Sequence, residues 1–346
     1  MTSAGSTPTD GRVEVIGALV GTGADAEYRI DGVDGMAPFL MTIVSESDLW
    51  MFVSSNTALT AGRVDADRAL FPYETDDRLH RAAGLAGPIT LIARTVAGER
   101  ELWQPFAPRS TPGCRRSIVK GVLGNRVTFE ERRPSWGLTY RATWVPSDSF
   151  GWVRTVELCA DGESPAPSGS NDYEVLDGLL DIMPAGVDAS TEQIRSNLVD
   201  AYKRAETGPW GSLAVYSLES VISDRAEPLE ALTATVGWSS GFSSAELLLD
   251  ADGVADMVDD RPAVAAPVVT GRPGAYLLRG SVSLAPGASD SWSIVADTGL
   301  DHAAVATVVD TACSDGALGR VTDDVANGSE RLRGLLSGAD ALQQTG

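Results

Sequence analysis

The chain is expected to be mainly β: a large two-sheet antiparallel sandwich with one inserted helix and further helices at its C-terminal end. Three observations predict this. Short runs rich in Val, Ile, Thr, Tyr and Trp recur between clusters of Gly, Pro, Asp and Ser, the pattern of strands and turns. Several of these runs alternate strictly, as strands do when one face is buried and the other solvated. Almost no helical pattern is interleaved with them, which argues against a doubly wound sheet.

The strand runs, in order, are Val13–Leu19, Pro38–Ser45, Leu49–Ser54, Ile89–Arg94, Arg126–Glu131, Leu138–Val145, Trp152–Leu158, Leu213–Leu218, Leu232–Trp238, Tyr276–Leu284 and Trp292–Ala296. In Leu138–Val145 the rings and small apolar groups share one face, and Thr139, Arg141 and Thr143 share the other. Tyr173–Asp188 begins as a strand, meets Gly178 and closes at Pro184. A helix is expected from Ser190, its cap, to about Glu206, with a stripe of Ile194, Leu198, Val199 and Tyr202, stopped by Thr207-Gly208-Pro209. A second helix should run from Asp301 to Cys313. A third, after Asn327-Gly328-Ser329, carries Leu332, Leu335, Leu336 and Leu342, and either docks on the strands or leads to a further domain.

Residues 1–12 are polar and are read as a disordered N-terminus, 13–300 as the sandwich, and 301–346 as a helical linker. Gly162–Asn171 is read as a long hairpin loop within one domain. The net charge of −21 argues against nucleic acid and against an anionic membrane surface as partners. The three cysteines are spaced without a metal motif, and no leader or membrane-length apolar run is present, so a reducing cytoplasmic location is expected.

Chemistry-bearing patterns are sparse. The only histidines are His80 and His302, far apart in sequence; His80 is read as part of a loop anchored by Phe71 and Tyr73. Adjacent carboxylates such as Asp76-Asp77 and Glu130-Glu131 point to opposite faces of a strand and lack an apolar surround. Gly237-Trp-Ser-Ser-Gly241 matches a nucleophile elbow in letters, yet it follows a strand without a helix behind it and is read as a turn. No phosphate-binding loop or dinucleotide fingerprint occurs, and neither a metal site nor a cofactor is expected. Of eight tryptophans, Trp50, Trp144, Trp238 and Trp292 lie in core-like strands, whereas Trp136 and Trp152 flank turns and are expected to be the exposed pair.

Four segments taken in order carry a resemblance: Ala69-Leu-Phe-Pro-Tyr-Glu-Thr-Asp-Asp77, Leu123-Gly-Asn-Arg-Val-Thr-Phe-Glu-Glu131, Pro146-Ser-Asp-Ser-Phe-Gly-Trp-Val-Arg154 and Val175-Leu-Asp-Gly-Leu-Leu-Asp-Ile-Met-Pro-Ala-Gly186. Together with Ser196–Arg204 and Ser223–Pro228 they resemble the N-terminal region of bacterial cellobiose phosphorylases and 1,2-β-oligoglucan phosphorylases, the family-94 type. That resemblance implies a galactose mutarotase-like sandwich that is itself non-catalytic and scaffolds an (α/α)6 catalytic barrel absent from this chain, making it a fragment. It implies carbohydrate metabolism, a β-glucan or oligosaccharide partner, and homodimer formation. It makes Tyr73, Asp76, Asp77 and Arg154 candidates for binding or for facing the barrel; Trp136 and Trp152, the expected exposed pair, are candidates for ligand contact on their own account. Two rival readings are a stand-alone mutarotase-like sugar epimerase and a carbohydrate-binding module. Pro112–Arg116 and Ser168–Asn171 match nothing in the family pattern.

Overall fold

A computed structural model describes residues 14–162, 172–209, 211–220 and 231–340. The chain opens with strands β1 (Ile16–Val20), β2 (Glu27–Asp31), β3 (Leu40–Ile43), β4 (Leu49–Ser54) and β5 (Leu59–Arg63), then the one-turn helix α1 (Asp76–Leu79). Strands β6 (Gly87–Val96), β7 (Glu99–Trp103), β8 (Arg115–Gly121), β9 (Val127–Arg133), β10 (Leu138–Ser147), β11 (Gly151–Ala160) and β12 (Asp172–Ile182) follow. After helix α2 (Ala189–Asp200) come β13 (Lys203–Thr207), β14 (Ala214–Leu218), β15 (Thr233–Ser240) and β16 (Glu246–Leu248). Helix α3 (Asp252–Val258), strands β17 (Val268–Thr270), β18 (Gly274–Ser283) and β19 (Ser289–Asp301), and helices α4 (His302–Ala312) and α5 (Ala317–Asp340) complete it.

The expected antiparallel sandwich is what forms. One layer is an eleven-stranded sheet in the order β1-β2-β8-β9-β10-β11-β19-β15-β14-β13-β17. The facing layer is divided between a five-stranded sheet, β16-β18-β12-β6-β7, and a three-stranded sheet, β3-β4-β5. One core joins all three: Tyr140, Trp144, Trp152 and Trp292 from the large sheet meet Val175, Leu179 and Tyr276 from the second and Met51 and Val53 from the third. On β10 the inner residues are Leu138, Tyr140, Ala142 and Trp144, as the alternation requires.

Helices cover the outer faces. Val308 of α4 and Ala317 and Val321 of α5 pack on Val153, Val236, Trp238 and Val295 of the large sheet. Helix α3 lays Met257 and Val254 on Leu91, Leu176 and Leu277 of the five-stranded sheet. The second helix begins where expected, with the Asp301 carboxylate accepting from Ala304 N at 2.9 Å. Helix α5 is held by more than apolar contact: the Asp324 carboxylate accepts from Ser147 Oγ at 2.5 Å, Ser149 N at 3.1 Å and Ser149 Oγ at 3.0 Å, and Arg331 pairs with Glu46 at 2.6 Å.

Three expectations change. The helix expected to run to Glu206 stops at Asp200, and residues 203–207 form β13, paired with β14 and β17. Its cap is Asp188, whose carboxylate accepts from Thr191 N at 2.8 Å, and its expected stripe is not buried as a whole, since Ile194 is 79% exposed while Val199 is fully covered. The connection through Gly162–Asn171 joins two layers instead of turning a hairpin: β11 pairs with β10 and β19, whereas β12 pairs with β18 and β6. Most of that connection, like residues 1–13, lies outside the described residues. Finally, α5 starts ten residues before the expected break and runs through Asn327-Gly328-Ser329, where Gly328 is closely packed: a Cβ there would lie 2.7 Å from Glu46 Oε1.

Candidate functional site

Arg154, on the inner face of β11, is the one candidate that gathers a polar constellation around itself. Thr90 on β6 and Asp177 on β12 are direct cross-strand neighbours, which puts both on one face of the second layer opposite Arg154. The guanidinium grips the carboxylate with two bonds, Nη1 to Oδ2 at 2.8 Å and Nη2 to Oδ1 at 2.9 Å. Nη2 also reaches Thr90 Oγ1 at 2.9 Å and Tyr140 Oη at 3.0 Å. Asp177 accepts further bonds from Thr90 Oγ1 at 2.6 Å and Trp292 Nε1 at 2.7 Å.

The constellation is sealed: Arg154 is 1% exposed and Asp177 0%. A buried ion pair survives only where hydrogen bonds satisfy the remaining lone pairs and protons, and here they nearly all are. Arg154 Nε alone has no partner. A crevice beside it, walled by Gln104, Phe106 and Trp144 and floored by Thr90 and Tyr140, has a volume of about 20 Å³, room for a water and not for a sugar ring. Burial pushes the Tyr140 phenol above its ordinary range. Burial alone would lower the Arg154 guanidinium, but Asp177 and Tyr140 outweigh it and raise the net value. Both shifts keep the phenol neutral and the guanidinium charged near neutrality.

The other expected site residues go elsewhere. Tyr73 is half-buried, edge-on to Trp50 at 5.9 Å, and its carbonyl accepts from Gln193 Nε2 at 3.1 Å. Asp76 and Asp77 begin α1, and their side chains lie outside the described residues. Trp136 and Trp152 are not an exposed pair. Trp136 is 4% exposed, with Arg133 stacked at 3.8 Å and Arg94 at 4.5 Å from its ring centre, and its Nε1 donates to Glu101 at 2.7 Å. Trp152 is 1% exposed because it shares the inner face of β11 with Arg154, Val156 and Leu158. For Trp152 strand phase, not the neighbouring turn, decided exposure, and Trp136 is buried within its own short turn, Pro134–Trp136. Arg154 is equally unable to face a partner domain.

Sequence reasoning missed Thr90, Tyr140 and Asp177 as members of the cluster. The signal for Asp177 was present: it is the only charge in Val175-Leu-Asp-Gly-Leu-Leu180, and a lone carboxylate in an apolar strand needs a buried partner.

The histidines do not meet. His80 Nδ1 lies 2.6 Å from Ser54 Oγ, and its carbonyl accepts from Asn56 at 2.8 Å; of the two expected ring anchors Phe71 is fully buried and Tyr73 only half so. His302 borders a separate hollow with Leu218, Thr233 and Leu300. Ser239 of the elbow-like stretch bonds the Tyr276 hydroxyl at 2.8 Å, not a histidine. At another edge, Lys203 is buried among Asp200 at 2.8 Å, Asp181 at 3.6 Å and Glu192 at 3.7 Å. Burial pushes the Asp181 and Glu192 carboxyls up, against the pull of Lys203. Among the described residues no group of three His, Cys, Asp or Glu side chains could hold a metal ion, and no helix is long and apolar enough to cross a membrane.

No protein-family model and no curated protein sequence matches the chain. Solved structures with a similar course include a bacterial glucoamylase complexed with acarbose, at 9% identity and a TM-score of 0.47, covering 94% of this chain and 40% of the glucoamylase. A protein named as an aldose 1-epimerase from Klebsiella pneumoniae shares 11% identity at a TM-score of 0.39, over 88% of this chain and 93% of its own. Heparan sulfate lyase HepC from Pedobacter heparinus shares 7% identity at a TM-score of 0.33, over 78% of this chain and 38% of its own. This chain thus spans less than half the length of the glucoamylase and of the lyase.

Proposed function

We propose that the chain is the non-catalytic sandwich of a carbohydrate-active enzyme, a scaffold that seats a helical catalytic barrel and supplies no reacting group. The observation that carries this reading is the sealed Arg154–Asp177 cluster. The interior of the sandwich spends its strongest charges on each other, in a space that admits about one water. The ordered segments that resemble the family-94 phosphorylases supply the carbohydrate half of the reading. The docking of α4 and α5 supports the scaffold half: the polar ties of Asp324 and Arg331 fix the direction in which the helical segment leaves the sheet.

The test is turnover by the purified chain. Cellobiose with phosphate, and glucose 1-phosphate with glucose, should give no phosphorolysis or synthesis, and polarimetry on several aldoses should show no accelerated mutarotation. Turnover of a β-glucoside would overturn the scaffold reading. Mutarotation abolished by His80→Ala would replace it with the epimerase.

A further inference from the structure

At one end of the sandwich, where the large sheet meets the edge of the five-stranded one, lies an open cleft of about 420 Å³, within the range of small-molecule sites. It is built from Gly211 and Ser212 just before β14, the end of β15, the turn after β15, and β16 and β18. Ser212, Ser239, Ser240 and Ser243 line it together with the apolar side chains of Phe242 and Leu247. None of the described residues that line it is charged, although charged residues make up 22% of the chain.

The walls are fixed in place. The wholly buried Tyr276 bonds the Ser212 carbonyl and, at 2.8 Å, Ser239 Oγ, while Ser212 Oγ donates to Ser239 O at 2.7 Å. Phe242 stacks on Trp292 at 4.6 Å and 30°, and Trp292 is pinned by its bond to Asp177. The turn is held close as well: Gly241 has φ +100°, and a Cβ there would lie 2.8 Å from Ser291 O. Ser240 and Ser243 make no side-chain hydrogen bond within the described residues, so both hydroxyls are free to donate and accept.

We infer that this cleft binds a neutral oligosaccharide. An anionic ligand would meet no cation here, in a chain of net charge −21, and a cationic ligand would meet no lining carboxylate. A purely apolar ligand would strip water from the serine hydroxyls without replacing their hydrogen bonds. A pyranose chain satisfies both surfaces, its hydroxyls toward the serines and its C–H faces on Phe242 and Leu247. The inference takes no catalytic step, and it draws on the scaffold reading only for its consistency with a sugar-handling protein.

The test uses the whole chain with cellotetraose, laminaritetraose and maltotetraose, and cellobiouronic acid as the charged control. Saturation-transfer NMR and tryptophan fluorescence at up to about 10 mM sugar reach the weak affinities of an open site. Saturable binding of at least one neutral tetrasaccharide is expected, weakened about tenfold or more by Phe242→Ala. Because Phe242 packs on the core, Ser243→Trp serves as a second variant: it fills the cleft from an exposed position and should abolish binding at unchanged Tm. No saturable binding, binding indifferent to Ser243→Trp, or equal binding of the uronic acid would each overturn the inference. Such a failure would leave the scaffold reading standing, since that reading falls only to turnover.

Discussion

Replacing Asp177 by alanine should bring the protein close to unfolding, and the magnitude follows from the hydrogen bonds it removes. The Arg154 guanidinium would lose both charge-assisted bonds while remaining 1% exposed. Breaking one side of a buried ion pair costs about 3–5 kcal/mol. Trp292 Nε1, bonded at 2.7 Å, would lose its acceptor as well, adding about 1–3 kcal/mol. Thr90 adds little, because Tyr140 Oη remains 3.1 Å from its hydroxyl. The sum, about 4–8 kcal/mol, is comparable to the whole stability of an ordinary domain. Urea unfolding followed by tryptophan fluorescence should therefore show the midpoint falling by more than about 1 M. The decisive partner is the Arg154→Met/Asp177→Leu double variant, which removes the stranded charge and should recover more than half of the loss. A loss under about 1 kcal/mol for Asp177→Ala, or a double variant no more stable than the single one, would refute the argument that the pair is dry and mutually dependent.

Further outcomes follow from other contacts. Gly178→Ala on β12 should yield little soluble protein, because the new Cβ would stand 2.8 Å from Leu277 Cα and closer still to Tyr276 O; recovery of native-like circular dichroism at wild-type Tm would contradict this. Asp188→Ala should cost about 1 kcal/mol through loss of the α2 cap. Hydrogen bonds from Ser190 and Thr191 hold the Asp188 carboxyl down at about 2, below its ordinary 3.8. Its contribution is thus present above about 3.8 and disappears as the pH falls toward 2, which hydrogen exchange in α2 between pH 5 and 2 should register in the native chain and not in the variant. Asp324→Ala frees three donors of the 147–149 loop from α5 and should raise amide exchange in α5 while leaving β12 unchanged. Equal exchange in both elements would mean that the helix is held by its apolar face alone.

Most of the antiparallel architecture was legible because burial imposed period-two alternation. Leu49–Ser54 formed a strand with the same limits, and Leu138–Val145 formed one with its faces as read. Besides Leu59–Arg63, Glu246–Leu248 and Val268–Thr270, the strands that escaped notice are charge-rich: Glu27–Asp31, Glu99–Trp103, Arg115–Gly121 and Lys203–Thr207. Their polar residues are consumed by pairs between strands, such as Arg29–Glu130 at 2.7 Å, Arg100–Glu174 at 3.1 Å and Arg116–Glu131 at 2.7 Å. A single strand read alone looks like a loop when its partner is far away in sequence. Helix α2 was misjudged for the converse reason, since its apolar residues fitted a helical stripe that tertiary packing does not cover. Of the candidate site residues, Arg154 proved central for reasons its turn-adjacent position hid. The exposure expected of Trp136 and Trp152 failed because the phase of a strand and the fold of a short turn are set by what lies opposite.

The order of the strands also decides when this molecule can come into being. Strands β11 and β12 lie in mid-chain, yet β11 pairs with β19 and β12 with β18, partners that leave the ribosome more than a hundred residues later. Until then the nascent chain exposes the unpaired edges of both layers, and the buried charge of Arg154 has Asp177 but not the Trp292 that completes the cluster. Long-range pairing of this kind is slow and prone to aggregation. The protein should therefore fold as one late event, gated by the synthesis of β19, and any cut placed before residue 301 should forfeit both layers together.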